Sequence, residues 1–385
     1  MKPIDFKTRT VFMERPSPYR KDKWIIGLDT GYSGVKGFAP NKVFCFPSYA
    51  RKIPDNRVVL KEATETDIRY RDEDGGIWTV GNLAYDEVNA SEVIVSESEL
   101  FGRNRYYSQM FQVLARTGMA IGLIVNGFGS PKDKELIIQA GLPPKYLSSD
   151  TEDMKEALAG HHKFELQLGK NQEWKQFEFE VKKDNIYVMA QPLGALISAS
   201  VDKDGKTLPV AKKYFNSDVI IFDPGFGTLD DYTIHLGNVI GSETFPNLGM
   251  REVFSRTCKD IKDIYNVELQ VPDLQNRLEL GEISVVDKKL MKRKNHSFSD
   301  ILEENCQTVC LDAIEQLKVI HDYFSSTDYI IAAGGTYDAW ADIINDTFKD
   351  MEGLSIVPGN INDPTLSNIF ANVRGYYFYR LNTTK

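Results

Sequence analysis

Apolar residues in this chain come in short runs that stop abruptly at an aspartate or a glycine pair. The first run, Trp24-Ile25-Ile26-Gly27-Leu28, ends at Asp29; Thr30-Gly31-Tyr32-Ser33-Gly34 and a second run, Val35-Lys36-Gly37-Phe38, follow. Two runs of strand length joined by a glycine-rich turn predict a β-hairpin. Lys42 to Phe46 predicts a third strand closed by Pro47, before a charged, loop-rich stretch from Arg51 to Glu73. Further strands are expected at Trp78 to Gly81, Glu135 to Ala140, Lys163 to Leu168, Phe177 to Val181 and Ile186 to Ala190. Gly141-Leu142-Pro143-Pro144 and Lys170-Asn171-Gln172-Glu173 read as turns. Apolar residues at helical spacing predict helices over Tyr106 to Gly122, Leu193 to Ser200, Arg251 to Tyr265 and Ser299 to Phe324, with another from Asp150, as its N-cap, to Ala159.

The opening pattern then returns. Asp218-Val219-Ile220-Ile221-Phe222 ends at Asp223, and Pro224-Gly225-Phe226-Gly227-Thr228 leads into a second strand, Tyr232-Thr233-Ile234. Asp328 to Ala333 is a later apolar strand that runs into Gly334-Gly335. One repeat so far apart in the chain predicts two related α/β domains and not a solenoid. Length agrees, because 385 residues exceed the roughly 250–300 at which a single core stops growing. The expected divisions are an N-terminal extension over 1–23, domain I over 24–205 and domain II over 206–365, with the turn Asp202-Lys203-Asp204-Gly205 between the domains.

Composition narrows the class. With 42% hydrophobic and 26% charged residues the chain is an ordinary globular protein, and its net charge of -9 argues against a surface wholly given to nucleic acid. The four cysteines have no CxxC or Cys/His spacing, which fits a reducing, cytoplasmic setting; Cys306 and Cys310 are expected on one buried helix face. No signal-peptide core and no membrane-length apolar run is found, so no membrane partner is expected.

The chemistry lies in the turns. Successive N–H groups of a glycine-rich turn form a concave anion site suited to a polyphosphate. An acidic residue at the strand's end makes sense once Mg²⁺ is added, because that ion keeps its waters and carboxylates such as Asp29 and Asp223 hold them. Two such hairpins facing each other would clamp the β- and γ-phosphates from both sides.

Asp29-Thr30-Gly31-Tyr32-Ser33-Gly34-Val35-Lys36 resembles the first phosphate motif of the actin/Hsp70/hexokinase superfamily, and Asp223-Pro224-Gly225-Phe226-Gly227-Thr228-Leu229-Asp230 the second. Ala332-Ala333-Gly334-Gly335-Thr336 resembles the adenosine motif, while Gln191-Pro192-Leu193-Gly194-Ala195 and Asn372-Val373-Arg374-Gly375 resemble the two connecting helices. The resemblance implies an actin-like (ribonuclease H-like) ATPase fold, with two related domains around a central nucleotide cleft and the segment 366–385 returning to domain I. It also implies roles. Asp29 and Asp223 would sit over Mg²⁺ and its waters, and Lys36 would reach the phosphates. The backbones of Gly31, Tyr32, Ser33, Gly225, Phe226 and Gly227 would cradle phosphate oxygens, with the Ser33 and Thr228 hydroxyls assisting. Gln191 would orient the attacking water. Gly334, Gly335 and Thr336 would line the adenosine, Tyr337 would lie against the base, and Arg251 and Glu252 would meet the purine and ribose. ATP is the implied nucleotide, with GTP as the competing one.

Trp78-Thr79-Val80-Gly81-Asn82-Leu83-Ala84 and the turn at Gly141 resemble the bacterial and archaeal actin-like proteins, above all the ParM-type plasmid-segregation group. That resemblance implies a filament whose subunits bind ATP to assemble and hydrolyse it to fall apart, with a DNA-binding adaptor and plasmid DNA as partners. A small-metabolite kinase of the same fold is the alternative. Three other features stand outside these motifs. The basic cluster from Asp287 through Lys288-Lys289-Leu290-Met291-Lys292-Arg293-Lys294 is a solvated loop or a filament, adaptor or polyanion contact. His161-His162 is expected in a surface loop, and Phe101-Gly102-Arg103-Asn104-Arg105 in an ordinary loop.

Overall fold

The computed structural model describes residues 2–54, 62–86, 102, 104–170, 173–287 and 289–384; Phe101, Arg103, Asn171, Gln172, Lys288 and part of the 51–73 loop lie outside them. The chain forms two compact units. The larger comprises Thr8–Leu208, Asn362–Leu366 and Phe370–Lys385, and the smaller Met1–Lys7, Pro209–Ile361 and Ser367–Ile369.

The larger unit contains β1 (Val11–Glu14), β2 (Lys23–Thr30), β3 (Gly34–Phe38), β4 (Lys42–Pro47), β5 (Ala50–Lys52), β6 (Ile68–Arg71), β7 (Ile77–Val80), α1 (Asn82–Tyr85) and α2 (Gln109–Gly122). These are followed by β8 (Glu135–Leu142), α3 (Leu147–Leu158), β9 (Gly160–Leu168), β10 (Lys175–Val181), β11 (Ile186–Ala190) and α4 (Gln191–Ser200). The main sheet runs β1-β4-β3-β2-β8-β11, and a second, antiparallel sheet runs β10-β9-β6-β7-β5. β2 is apolar from Trp24 to Leu28 because both its faces are covered there: Ile25 is buried on one, and Trp24, Ile26 and Leu28 are buried in a core with Phe44, Phe46, Leu114 and Ile138. Helix α2 starts where Ser108 caps it, its Oγ accepting from the Phe111 N–H at 3.1 Å.

The smaller unit contains α5 (Val210–Phe215), β12 (Asp218–Pro224), β13 (Thr228–His235), β14 (Asn238–Pro246), α6 (Met250–Tyr265), α7 (Val271–Arg277), β15 (Glu282–Asp287) and β16 (Lys292–Ser297). It continues through α8 (Ser299–Ile320), β17 (Tyr329–Ala332), α9 (Gly334–Phe348) and β18 (Ser355–Pro358). Its sheet runs β14-β13-β12-β17-β18. This is the order β4-β3-β2-β8-β11 over again, with the first three strands antiparallel and the last two parallel in both sheets. The repeat in the sequence is thus a repeat of topology. Cys306 and Cys310 are buried together in α8, where burial pushes the Cys306 thiol up to about 12 and the Cys310 thiol higher still.

Helix α10 (Ala371–Thr383) returns to the larger unit and crosses α4 with almost no side chain between the two backbones. A Cβ on Gly375 would lie 1.9 Å from the Gly194 carbonyl oxygen, and one on Gly194 would lie 2.7 Å from that of Asn372. Arg374, fully buried, bridges the crossing. Its Nη1 donates to the Ser198 carbonyl (2.6 Å) and hydroxyl (2.9 Å), and its Nη2 to the carbonyls of Val201 (3.2 Å) and Asp202 (2.6 Å). The carbonyls of Ser198 and Val201 belong to the end of α4, whose last carbonyls lack helical partners.

Four expectations are corrected. Residues 1–23 are not an extension: β1 pairs with β4 from Val11↔Cys45 to Glu14↔Lys42, and Phe6 packs in the smaller unit beside Phe226 and Phe254. Gly141 and Leu142 do not turn; they extend β8 beside Met189 and Ala190, and the chain bends at Pro143. Asp150 is no cap, because α3 starts at Leu147 and Asp150 lies buried within it, accepting from the Ser149 hydroxyl at 2.7 Å. His161 and His162 belong to β9, and His162 is only 3% exposed, with Nε2 3.0 Å from the Leu158 carbonyl. Among the described residues no helix is long and apolar enough to cross a membrane.

Gly375→Ala should lose about 3 kcal/mol or more of stability, since a backbone atom blocks the new methyl; Gly127→Ala, with nothing within 4 Å, should be neutral. Urea unfolding measures both. His162 yields a pH prediction. Burial holds its folded pKa at about 4 against an ordinary 6.5. Its neutral form therefore favours the fold fully above pH 6.5, and that contribution drains away as pH falls toward about 4. The total is about 3 kcal/mol, so His162→Gln should lose less stability than the parent between pH 7 and 4.5 in paired urea titrations. Equal losses would contradict it.

Candidate functional site

In both main sheets the sheet changes from antiparallel to parallel at one strand, β2 or β12, and ligands of open α/β sheets gather at the carboxyl ends of strands near such switches. Those ends carry nearly every residue singled out above. In the larger unit they are the turn after β2 and Gln191, the first residue of α4, which follows β11 directly. In the smaller unit they are the turn after β12 and Gly334-Gly335, which open α9 after β17.

The first turn spans Gly31 to Ser33, all partly exposed, while Asp29 is 3% exposed. Asp29 stands opposite Lys36 in the hairpin register, with Lys36 Nζ 3.1 Å from Asp29 Oδ2. Lys36, expected at the phosphates, is thus ion-paired in its own hairpin. The turn's carbonyls are held from outside. Ser48 Oγ donates to the Gly31 carbonyl at 2.6 Å and the Ser48 N–H to that of Ser33 at 3.1 Å. Arg105 Nη2 donates to the Thr30 carbonyl, and its guanidinium lies 4.9 Å from the Tyr32 ring centroid. The 101–105 stretch is therefore no ordinary loop at its described end.

The second turn repeats the local geometry. A Cβ on Gly31 would stand 3.1 Å from the Gly34 carbonyl oxygen, and one on Gly225 would stand 3.1 Å from that of Thr228. Asp223, 4% exposed, faces Asp230 across the hairpin, as Asp29 faces Lys36. Asp230 Oδ1 accepts from the Thr244 hydroxyl at 2.7 Å. The second hairpin thus carries two carboxylates where the first carries an ion pair. The carbonyls are again tied: Gly225 accepts from Thr336 Oγ1 (2.8 Å) and the Met250 N–H (3.3 Å), and Phe226 from the Arg251 N–H (2.8 Å). Gly334 must be glycine here. Its φ is +85° and a Cβ would crowd Asp223 Oδ1 and the Pro224 carbonyl oxygen, each at 3.1 Å.

Several expected roles therefore change. Thr336 is 1% exposed and its hydroxyl braces the second turn. Tyr337 is 4% exposed and packed in the core of its own unit, where burial pushes its hydroxyl up to about 12; its ring is not presented to a base. Glu252 Oε1 accepts from Arg256 Nε at 2.9 Å, and the backbone N–H of Arg251 serves the turn. Gly225, Phe226, Gly227 and Thr228 are partly exposed, as are Gln191 and Gly335.

Sequence reasoning missed three groups. Asp230 was legible, because its seven-residue spacing from Asp223 matches that of Lys36 from Asp29 in the same register. Asp338, four residues beyond Gly334 on α9, has its carboxyl raised to about 6 by burial, against bonds from Ser367 and Asn368. Neither it nor Arg105 has a local motif. A separate concavity of about 710 Å³ in the larger unit, lined by Glu135, Lys175, Phe177, Phe179 and Lys182 among others, contains none of the predicted site residues. Among the described residues no three His, Cys, Asp or Glu side chains cluster as metal ligands.

Residues 27–194 match the family model of the actin-like proteins' N-terminal domain. No curated protein is matched by the sequence. The fold is similar to that of pCBH ParM in a non-polymerisable quadruple mutant, at 20% identity over 93% of this chain and 99% of that one, with a TM-score of 0.68. It is similar to a ParM from Clostridium botulinum solved as a 15-stranded filament (19% identity, 93% and 99% coverage, TM-score 0.68). It is also similar to an archaeal actin homologue in complex with ADP (16% identity, 94% and 100% coverage, TM-score 0.63). Residues 27–194 thus match an actin-like N-terminal domain, and the chain as a whole, with one strand order repeated in two sheets, has the fold of the ParM structures and of the archaeal actin homologue.

Proposed function

We infer that the protein is an ATP-driven, filament-forming actin-like ATPase that moves or segregates plasmid DNA. The observation that carries the reading is the doubled turn: each unit holds one glycine turn whose carbonyls are tied from behind, beside a buried aspartate at a strand's carboxyl end. Fixing a carbonyl on one side of a trans peptide sends the next N–H to the other. The N–H groups of Gly31 and Tyr32, and of Phe226 and Gly227, are thereby aimed away from their ties, as phosphate oxygens require. The Ser33 and Thr228 hydroxyls assist, and Gly334 and Gly335 line the adenosine.

Gln191 orients the attacking water; a carboxamide positions without acting as a strong base, which suits slow hydrolysis. Asp223 and Asp230, opposite each other in the hairpin, would hold Mg²⁺ through its waters, as that ion prefers. Bound with ATP, Mg²⁺ neutralises charge on the phosphates. Asp29 contributes less to that ion, since Lys36 already balances it. ADP in an archaeal homologue and the filament of a ParM support nucleotide binding and self-association here. The setting is cytoplasmic, without a membrane partner; a DNA-binding adaptor links the polymer to plasmid DNA.

The basic cluster lies on the exposed β15–β16 hairpin, where Lys292 pairs with Asp287 and Lys294 with Val285 in register. We assign it a contact in the filament or with the adaptor.

Light scattering with ATP, ADP and GTP, alongside phosphate release, should show ATP-dependent polymer that decays as phosphate appears; absence of sedimentable polymer across salt conditions overturns the filament reading. Asp223→Ala should keep the fold yet slow Mg²⁺-dependent phosphate release at least about tenfold, and a normal rate removes the metal assignment. Lys292→Glu with Lys294→Glu should shift the salt dependence of assembly while ATP affinity stays within about twofold; unchanged assembly contradicts the contact.

A further inference from the structure

The geometry points to Arg105 as a positioning residue that, together with Ser48, aims the backbone of the first turn at the nucleotide's phosphates. The inference rests on the phosphate reading of that turn. Arg105 opens a short 3-10 turn, Arg105–Tyr107, just ahead of α2. Its own carbonyl accepts from Ser108 Oγ at 2.9 Å, and that same oxygen caps α2, so the backbone of Arg105 is fixed to a long buried helix. From there the guanidinium reaches the turn. Nη2 donates to the Thr30 carbonyl and lies 3.2 Å from Thr30 Oγ1, while the cation stands 4.9 Å from the Tyr32 ring, 5.3 Å from Tyr106 and 5.3 Å from Phe111. Three aromatic faces around one guanidinium leave it little choice of direction.

The consequence follows from peptide planarity. With the Thr30 carbonyl turned to Arg105 and the Gly31 carbonyl turned to Ser48 Oγ, the N–H groups of Gly31 and Tyr32 point the opposite way. The same two-carbonyl device holds the second turn, where Thr336 Oγ1 and the N–H groups of Met250 and Arg251 bind the carbonyls of Gly225 and Phe226. There the ties are neutral and come from a helix start. In the first turn one tie is a full positive charge, so Arg105 orients the turn and also favours an anion beside it. Stacking on Tyr32 further keeps that side chain out of the concavity its own N–H lines.

The test uses the full chain and measures AMP, ADP and ATP binding by titration calorimetry for the parent, Arg105→Gln, Arg105→Lys and Ser48→Ala, with thermal melting as the check on folding. Arg105→Gln should bind ADP and ATP about tenfold more weakly while AMP changes less than about twofold. Ser48→Ala should give a smaller loss in the same order. Arg105→Lys should recover part of the loss, since an ammonium still donates to one carbonyl but stacks less well. In turnover the KM for ATP should rise more than kcat falls. A folded Arg105→Gln with parental ATP affinity, or with equal losses for all three nucleotides, overturns the proposal alone. A parent chain that binds none of the three overturns the phosphate reading with it.

Discussion

The crossing of α4 and α10 is the constraint on which the larger unit's geometry depends. Two backbones approach until a methyl on Gly375 would overlap the Gly194 carbonyl, so the helices have one relative position available. Burial favours the approach, and it strands polar groups at the end of α4. Arg374 answers this with bonds to Ser198, Val201 and Asp202, and Asp363 balances it at 3.4 Å. Burial lowers the Arg374 pKa to about 10, against the pull of Asp363, so the guanidinium stays charged at neutral pH. The other end of α4 is Gln191. The start of α4, and Gln191 with it, is therefore placed by that crossing. A buried charge held by four hydrogen bonds and an ion pair is costly to unpair, which makes the arrangement all-or-none.

The two hairpins share a backbone and differ in charge. In the first, Asp29 forms an ion pair with Lys36; in the second, Asp223 stands opposite Asp230. Turns of the same local geometry thus sit on hairpins that differ in charge at one register position, Lys36 in one unit and Asp230 in the other. Repetition supplied the fold, and divergence at one register position supplied the asymmetry.

Much of this was legible in the sequence, for definite reasons. Strands such as Trp24–Leu28 and Val219–Phe222 are buried on both faces, so they appear as unbroken apolar runs. The glycine turns and the Gly334-Gly335 pair are local features that a backbone demands at those positions. The divisions between units were harder, because they depend on long-range pairing. Val11 to Met13 form an edge strand only because β4 offers a free side. His162 is buried only because β10 brings Phe179 over it, with ring centroids 5.2 Å apart. Tyr337 and Thr336 follow the glycine pair and look like ligand-facing residues, yet the helix they start turns one into the core and the other to the Gly225 carbonyl.

The same distinction separates a glycine turn from a phosphate site. Glycine permits a nest of N–H groups but does not orient it; a free turn samples many peptide orientations. Orientation comes from Ser48 and Arg105 in one unit and from Thr336 and the start of α6 in the other. None of these lies within the motif it serves: Arg105 is far along the chain from Thr30, and Thr336 farther still from Gly225. A phosphate turn is thus a tertiary object whose motif records the permissive half only. The restrictive half is spread over residues that look, in sequence, like ordinary caps and loops.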